Sequence, residues 1–461
     1  MTMETGASRH GMMKGVTAAI AMACEGEAKG TQRLDHRPAA EIGSAQGPRV
    51  QAQRNFGRLL DRQEEQPSVE EIRALANRMA ETPETATDGP ADAGMAFLGQ
   101  FIDHDLTLDA TTRLGVAAGR VEDVENFRTP RFDLDSVFGA GPEVDPWLYG
   151  QGGEARGLAF GRGWAAGSLG NPLDLQRNCN DRALIGDPRN DENLFVSQLH
   201  GRLFVARYNE LLAEETGSDA ERFEAARTRL RHEYQNRVLT EFLPAVVAPS
   251  VLDPMVSGAR AGHLPGPVHW NCAPDMPVEF SAAAFRFGHS MIRQSYDLND
   301  AHGTVDVFSP INRGFSPVKR EHNLDFARYF GPAAQKSRSI DTRIVRALIE
   351  LPPNVVSDHP NLAERNMLRG QHTFCLPTGE AAATALGLDV LDPSPDVEAL
   401  KMTGRTPLWY YLLWEAELFG GKLGPLGGTL VAGTILNLLL RDRSSILNLP
   451  AEASQAVARV A

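Results

Sequence analysis

The segment MAFLGQFIDHDLTL constrains the fold most strongly, because it carries two aspartates and a histidine inside an otherwise apolar stretch. Its spacing of phenylalanine, leucine and isoleucine indicates a buried helix over residues 97–110. Burying Asp103, His104 and Asp105 side by side costs free energy unless each side chain has its own partner. The fold must therefore place charged or covalent partners on more than one side of this helix.

Helical geometry divides these polar residues between two sites. Gln100 and His104 are four residues apart and so share a face, with Asp103 beside them. Asp105 points about 100° away from His104, because successive residues of an α-helix are separated by that angle. One short segment is therefore expected to serve one site through the face of Gln100 and a second site through Asp105.

The loop TPRFDLD offers partners for Asp105. Thr129, Asp133 and Asp135 alternate along it, with the backbone carbonyl of Arg131 between them. Alternation in an extended loop directs oxygens to one side, and with Asp105 this makes a cage of hard oxygen ligands suited to Ca²⁺. The spacing is not that of an EF-hand. An acidic loop alone is usually only solvated, so the calcium prediction depends on the pairing with Asp105.

Composition limits the possible partners. The 461-residue chain has a formal net charge of −13 and a pI near 5.5, which argues against nucleic acid or an anionic membrane as a partner. No apolar run reaches the roughly 18–20 residues of a membrane span. The cysteines form no CxxC pair, so neither a zinc site nor a disulfide framework is expected, and a reducing compartment is favoured.

The chain is predicted to be mainly α, with one large domain over residues 51–450 between an extended arm at 1–50 and a tail at 451–461. A short apolar patch that ends at Cys24 resembles the end of a signal peptide, but Glu4 and the weak hydropathy of the patch favour the arm. A cytoplasmic protein is the default expectation, with secretion as the alternative.

The clearest predicted helix spans residues 68–81, where Ser68 and Glu71 have the spacing of a capping box. A long helix is predicted to begin near Asp191, and the glycine-rich residues 113–180 are expected to form loops. Further helices are predicted over 220–241, 280–293, 339–349, 378–387, 407–418 and 426–440.

Two more stretches set polar groups into apolar helices. GDPRNDEN puts Arg189 and Glu192 three positions apart where a helix begins, and AFRFGHSMI sets His289 beside a glycine. A single such histidine is more often a hydrogen-bonded core residue than a ligand. The combination of these groups with Asp103 and His104 favours a functional site over that interpretation.

The ordered motifs resemble those of the animal haem peroxidase family, in the peroxidase–cyclooxygenase superfamily, and suggest a bacterial member. The matching segments cover residues 97–380 and are GQFIDHD, TPRFDLDSVFG, GDPRNDEN, FRFGHSMI, NLAERNMLRG and LPTG. The resemblance implies a myeloperoxidase-like catalytic domain over 51–450 with long loops, haem b and Ca²⁺ as cofactors, and hydrogen peroxide as a substrate.

Residue by residue, the resemblance implies that His104 is the distal histidine and Arg189 the distal arginine, with Gln100 lining the distal pocket. It implies that His289 is the proximal iron ligand, with Asn366 accepting a hydrogen bond from the other ring nitrogen. The remaining roles that it implies are a haem-propionate contact for Arg369, ester links to haem for Asp103 and Glu192, and calcium ligation by Asp105, Thr129, Arg131 (backbone), Asp133 and Asp135.

Two positions depart from other branches of the superfamily. Asn193 stands where some members have a methionine that forms a sulfonium link to haem, so that bond is excluded and chloride is disfavoured against bromide, iodide or thiocyanate. Arg286, which we expect to be a cofactor-binding residue, stands where the oxygenases carry a radical tyrosine. A fatty-acid dioxygenase is therefore the runner-up.

The predicted activity is reduction of hydrogen peroxide and oxidation of phenols, halides or thiocyanate through a Compound I cycle. A non-catalytic haem-binding protein is the alternative from another class, and it would not need Arg189. His200 is interpreted as a packed or surface histidine. The electron donor and the oligomeric state stay open.

Overall fold

The computed structural model describes residues 55–150, 157–159, 171–353 and 355–450. The predicted arm at 1–50, the patch at Cys24 and the predicted tail lie outside these ranges.

The described chain is mostly helical, which confirms the predicted fold class. In chain order the α-helices are α1 Val69–Arg78, α2 Gly94–Leu106, α3 Asp135–Phe138, α4 Leu194–Leu199, α5 Arg207–Glu214, α6 Asp219–Arg237, α7 Leu243–Val246, α8 Pro249–Arg260, α9 Val278–Ala282, α10 Arg346–Ile349, α11 Leu362–Leu368, α12 Gly379–Ala385, α13 Pro395–Ala399, α14 Leu408–Leu418 and α15 Pro425–Arg441.

Short strands join distant parts of the chain in three pairs. The strands are β1 Phe56–Gly57, β2 Asp88–Asp92, β3 Met276–Pro277, β4 Ser295–Asp297, β5 Thr304–Asp306 and β6 Lys336–Arg338. β1 pairs in parallel with β3, while β2 with β6 and β4 with β5 are antiparallel pairs. In the register of the first pair, Phe56 lies opposite Met276.

Local sequence signals explain several helices. The predicted capping box at the start of α1 is present, since the Ser68 hydroxyl accepts from the Glu71 backbone and the Glu71 carboxylate accepts from the Ser68 backbone. α14 and α15 confirm the helices predicted over 407–418 and 426–440. Both are apolar on most sides and fill the core, which is typical of a fully buried helix.

The long helix predicted from Asp191 is present but not uniform. α4 continues into a π-helical segment, His200–Ala206, before α5. A second π-helical segment, Val238–Phe242, follows α6. Segments of this kind change which side chains face a given neighbour, and they often lie near functional sites.

The single helix predicted over 280–293 is wrong. α9 ends at Ala282, and a 3₁₀ turn, Ala284–His289, follows. The Arg286 guanidinium donates to the Ser281 carbonyl at 3.0 Å, an acceptor that a continuous helix would use for the backbone N–H of Phe285. This side chain therefore replaces a helical hydrogen bond where the chain turns.

The helix predicted over 339–349 is also largely wrong. Only α10 at its end is helical, while Ile344 forms a bridge with Ala80. Backbone pairing with the end of α1 holds the preceding residues extended, a tertiary contact that overrides local preference.

α2 lies at the centre of the site region. It packs against α4 and against the turn that contains His289. Phe97 of α2 stacks on Phe195 of α4 at 4.3 Å between ring centroids. Within the described ranges, the helices lack the combined length and hydropathy of a transmembrane segment.

Candidate active site

An apolar cavity that is partly open to solvent lies between α2 and the turn Ala284–His289. Its polar lining includes Gln100 and Asp103 from α2, and Arg286 and His289 from the turn. The other lining residues are mostly aromatic or aliphatic. An apolar pocket with a few convergent polar groups is the usual form of a cofactor or ligand site.

His289 is anchored through one ring nitrogen. Its Nδ1 lies 2.8 Å from Nδ2 of Asn366, so the predicted pair is present. The predicted direction of this hydrogen bond is not observed. The side-chain carbonyl of Asn366 faces the Arg286 guanidinium at 3.3 Å, so the amide N–H points to the imidazole. Burial, helped by Arg286, lowers the pKa of His289 to about 3, which keeps the ring neutral.

His104 is fully buried one layer behind the cavity wall. Its Nδ1 lies 2.9 Å from Oδ1 of Asn190. Its Nε2 has no hydrogen-bond partner among the described residues and lies 3.7 Å from Oε1 of Glu192. Burial and the Arg189 charge lower the pKa of His104 to about 3, so the ring is neutral at pH 7.

Gln100 connects the cavity wall to this layer. Its amide donates to Oε1 of Glu192, and Nδ2 of Asn193 donates to Oε1 of Gln100 at 3.1 Å. Asn193 also caps α4, since its carbonyl oxygen accepts from two backbone N–H groups. The contacts therefore run from the wall at Gln100, through Glu192, to His104.

Arg189 contacts the backbone of α2. Its guanidinium forms a bidentate ion pair with Asp187, 2.8 Å at the shorter contact, and donates to the backbone carbonyl of His104 at 3.0 Å. Burial opposes the ionisation of Asp187, yet Arg189 and Arg128 together hold its pKa well below the usual range. Arg189 and His104 are thus in direct contact, but Arg189 is not among the residues that line the cavity.

The two predicted ester-forming acids lie in the same region. Asp103 lies on the wall and accepts from the Thr107 hydroxyl at 2.8 Å, while Glu192 is buried behind it. Burial raises the pKa of both carboxyl groups. Arg369 is not among the residues that line the cavity, and it forms a buried ion pair with Asp109 at 2.7 Å. Its contact with a haem propionate stays a prediction.

Three carboxylates of the predicted oxygen cage converge beside α2, at Asp105. Ligand oxygens of Asp105, Asp133 and Asp135 lie within 4.8 Å of one another. Thr129 Oγ1 lies 3.1 Å from Asp133, and the side chain of Arg131 points to solvent, which leaves its backbone for the predicted role. Burial and mutual repulsion raise the pKa of Asp105 and bring that of Asp133 to about 7.

Sequence reasoning missed several residues around these sites. Asn190 and Asp187 are inside the quoted motif GDPRNDEN, but their contacts with His104 and Arg189 have no local signature. Arg128 immediately precedes the acidic loop TPRFDLD, and its guanidinium lies 3.4 Å from Asp135 and 3.3 Å from Asp187. A basic residue next to an acidic loop could have been identified as a counter-charge.

These features define a mostly helical protein with a histidine on the wall of an apolar cavity, and the comparison with known families gives its family. The family model of the animal haem peroxidases matches residues 126–372, so the chain belongs to that family.

Individual relatives are distant. The chain is 26% identical over 287 residues to chorion peroxidase of Drosophila melanogaster, a match to 56% of this chain and 34% of that protein. The chain thus spans about a third of the length of that relative.

Two solved structures share the fold. Peroxidase A from Dictyostelium discoideum has a TM-score of 0.60 at 14% identity, over 88% of this chain and 90% of that one. The fatty acid α-dioxygenase of Oryza sativa has a TM-score of 0.60 at 17% identity, over 87% and 78%. At these identities the likeness concerns the fold alone.

Proposed function

We propose that this chain is a haem-dependent peroxidase that reduces hydrogen peroxide and oxidises phenols, iodide, bromide or thiocyanate. The observation that carries the proposal is the position of His289 on the wall of an apolar cavity that α2 also lines, with His104 and Arg189 in contact directly behind that wall.

The residues present fit haem b. The cavity offers an apolar slot, and His289 is a neutral imidazole on its wall. With Nδ1 engaged by Asn366, iron ligation would use Nε2. Turning the Asn366 amide over would let its carbonyl accept from Nδ1–H, the arrangement that orients ligating histidines. Bound haem supplies the redox chemistry, and the protein supplies placement and electrostatics.

The distal residues have distinct tasks. The neutral ring of His104 can take a proton from peroxide at Nε2 and return it to the departing oxygen. The permanently charged Arg189 stabilises negative charge that develops on oxygen in a water-poor site. Gln100, on the cavity wall, can hold water or halide and connects the wall to His104 through Glu192.

The proposal includes Ca²⁺ in the cage formed by Asp105, Asp133, Asp135, Thr129 and the Arg131 carbonyl. The support is the convergence of three carboxylates, together with the buried Oδ2 of Asp105, which has no hydrogen-bond partner among the described residues. Buried carboxylates this close repel one another unless a cation lies between them.

The proposal also includes ester links from Asp103 and Glu192 to haem, supported by their positions on and behind the cavity wall. Each link would replace one hydrogen of a haem methyl group with a carboxylate oxygen, a two-electron oxidation for which the hydrogen peroxide substrate would be the oxidant. Haem that stays with the chain after acid extraction would support such links. Complete release would contradict them and leave the peroxidase proposal intact.

Replacement of Arg189 tests the peroxidase proposal. We expect Arg189→Ala to keep haem but to lose about 10²–10³-fold in peroxide turnover, since a positioned charge is removed. Arg189→Lys is the matched control, because it keeps a cation near Asp187 and should retain part of the rate.

Unchanged turnover in the alanine variant, at equal haem content, would contradict the role of Arg189. Wild-type protein that binds haem but ignores peroxide would indicate a non-catalytic haem protein. Dioxygen uptake with a long-chain fatty acid, and none with phenols and peroxide, would support the oxygenase branch instead.

A further inference from the structure

We propose that Asn190 is a positioning residue that holds His104 in the tautomer with its proton on Nδ1 and its lone pair on Nε2, and that His200 fixes the orientation of the Asn190 amide. The inference rests on the proposed function in one respect, namely that His104 Nε2 acts as the proton acceptor.

The geometry is a buried bridge between two imidazoles. Oδ1 of Asn190 lies 2.9 Å from Nδ1 of His104, and Nδ2 of the same amide lies 3.1 Å from Nδ1 of His200. All three side chains have no exposed surface. Water cannot therefore replace either hydrogen bond, and breaking one leaves a buried polar group without a partner.

The chemistry of the amide determines where the protons lie. A carbonyl oxygen only accepts and an amide NH₂ only donates, so His104 must carry its proton on Nδ1 and His200 must accept at Nδ1. His104 Nε2 is then an unprotonated acceptor. The two tautomers are coupled, because the opposite choice at His104 requires the amide to turn over and the proton of His200 to move.

Two rigid elements hold the bridge in place. Asn190 lies in a 3₁₀ turn, Pro188–Asp191, that the Asp187 side chain caps by accepting from a backbone N–H at 2.9 Å. His200 begins the π-helical segment after α4, and its ring packs against Phe101 of α2 at 6.0 Å between centroids. Burial lowers the pKa of His200 to about 3, so the ring that faces the amide is neutral and can accept.

The bridge matters because a base in the wrong tautomer presents a hydrogen where a lone pair is needed. General-base catalysis contributes about 10²–10⁴-fold to a rate. Asn190 should therefore affect every reaction in which a ligand must give up a proton to His104, while it touches neither the cavity nor His289.

Cyanide binding to the ferric haem-loaded protein tests this without turnover, because hydrogen cyanide must lose its proton as it binds. We expect Asn190→Leu, which has a similar volume and no acceptor, to slow cyanide association about 10²-fold or more. Asn190→Asp keeps an acceptor towards His104 and should restore most of the rate. Gln198→Leu is the matched control, since it removes another buried bridging amide, which bonds the backbones of His322 and Leu324.

The C–O stretching frequency of carbon monoxide bound to the ferrous haem-loaded protein supplies a second readout. A hydrogen bond from His104 Nε2–H to the bound carbon monoxide would lower this frequency. The wild type should therefore lack a C–O band at lowered frequency, and Asn190→Leu should show one. The opposite result, or cyanide association at the wild-type rate in Asn190→Leu, would overturn the inference. If Asn190→Leu loses haem, the same measurement is made on His200→Phe. This variant removes only the hydrogen bond between Asn190 Nδ2 and His200, so we expect a smaller decrease in the cyanide association rate.

The outcomes separate this inference from the function on which it rests. Wild-type protein that reacts with peroxide, together with an Asn190→Leu variant of unchanged cyanide rate, would contradict the inference alone. Wild-type protein that takes up no haem would contradict both.

Discussion

Within one turn of helix, Asp103, His104 and Asp105 enter three different environments. Asp103 lies on the cavity wall with the Thr107 hydroxyl as its partner. His104 is bonded to Asn190 behind the wall. Asp105 accepts from the Ser136 hydroxyl at 2.8 Å in the oxygen cage. The requirement set by the sequence, a separate partner for each polar side chain, is met on three sides of α2.

Asn193 shows why a departure from a family pattern can be structural. Its carbonyl oxygen accepts from the backbone N–H groups of Phe195 and Val196 at 3.0 and 2.9 Å, and its Nδ2 donates to Gln100. A methionine could make none of these bonds.

Substitution of Asn193 should therefore separate its two roles. We expect Asn193→Ala to lower the free energy of unfolding by about 1–2 kcal/mol, because the cap of α4 is lost. Asn193→Ser keeps the cap but not the bond to Gln100, so its stability should stay close to that of the wild type. Chemical denaturation of both variants measures this, and equal losses in the two would contradict a capping role.

At the scale of elements, Glu415 of α14 caps α15. Its two carboxylate oxygens accept from the backbone N–H groups of Leu426 and Gly427, each at 2.8 Å. Burial raises the pKa of this carboxyl to about 7 from the ordinary value of 4.5. The folded state therefore binds more protons than the unfolded state between these two pH values.

The stability that Glu415 contributes should thus be fully present below pH 4.5 and lost as the pH rises to about 7. The loss corresponds to roughly 3 kcal/mol at 1.36 kcal/mol per pKa unit. Comparing wild type with Glu415→Gln by denaturation at several pH values should show this change. A pH-independent difference between wild type and Glu415→Gln would contradict it.

The oxygen cage joins α2 to the loop that precedes α3, and Arg128 joins that loop to Asp187 and so to Arg189. A cation in the cage should stabilise all of these elements together. We expect Ca²⁺ at about 100 times its Kd to add about 2.7 kcal/mol of stability, with a higher Tm than in chelator.

Asp133→Asn should abolish the calcium-dependent rise in Tm, while Asp123→Asn, an exposed acid outside the cage, should keep it. Scanning calorimetry with Ca²⁺ and with chelator measures the difference. Equal Tm values for the wild type in both conditions would exclude the proposed cation.

The sequence predicted helices correctly where local signals and the pattern of burial favour the same structure. α1 has its capping box, and α15 is mostly apolar and is buried along nearly its whole length. The prediction from sequence failed at 280–293, where the Arg286 side chain donates to a backbone carbonyl that a continuous helix would use. It also failed at 339–345, where the chain pairs with distant residues. Such long-range hydrogen bonds leave no periodic trace in the sequence.

At the scale of the whole molecule, the site is built from segments far apart in the chain. β1 and β3 pair Phe56 with Met276, and the buried Glu279 accepts from the backbone N–H groups of Leu59 and Leu60, each at 3.0 Å. These contacts fix α9 and the His289 turn against the start of the described chain.

The candidate site was partly predictable for the same reason. Motif residues such as His289 and Asp105 could be placed, because their chemistry demands partners that the sequence contains. Asn190, Asp187 and Arg128 could not, since their roles depend on how separate turns meet in three dimensions. The packing of Arg369 against Asp109 likewise follows from tertiary contacts.

The central claim, that this chain reacts with hydrogen peroxide through a haem bound at His289, is tested most directly by the optical spectrum of haem-loaded protein after one equivalent of peroxide, recorded by stopped flow. We expect the ferric Soret band to fall within milliseconds and to recover when iodide or a phenol is added. His289→Ala should show neither change. A Soret band that stays constant in the wild type would contradict the account and the tasks assigned to His104 and Arg189.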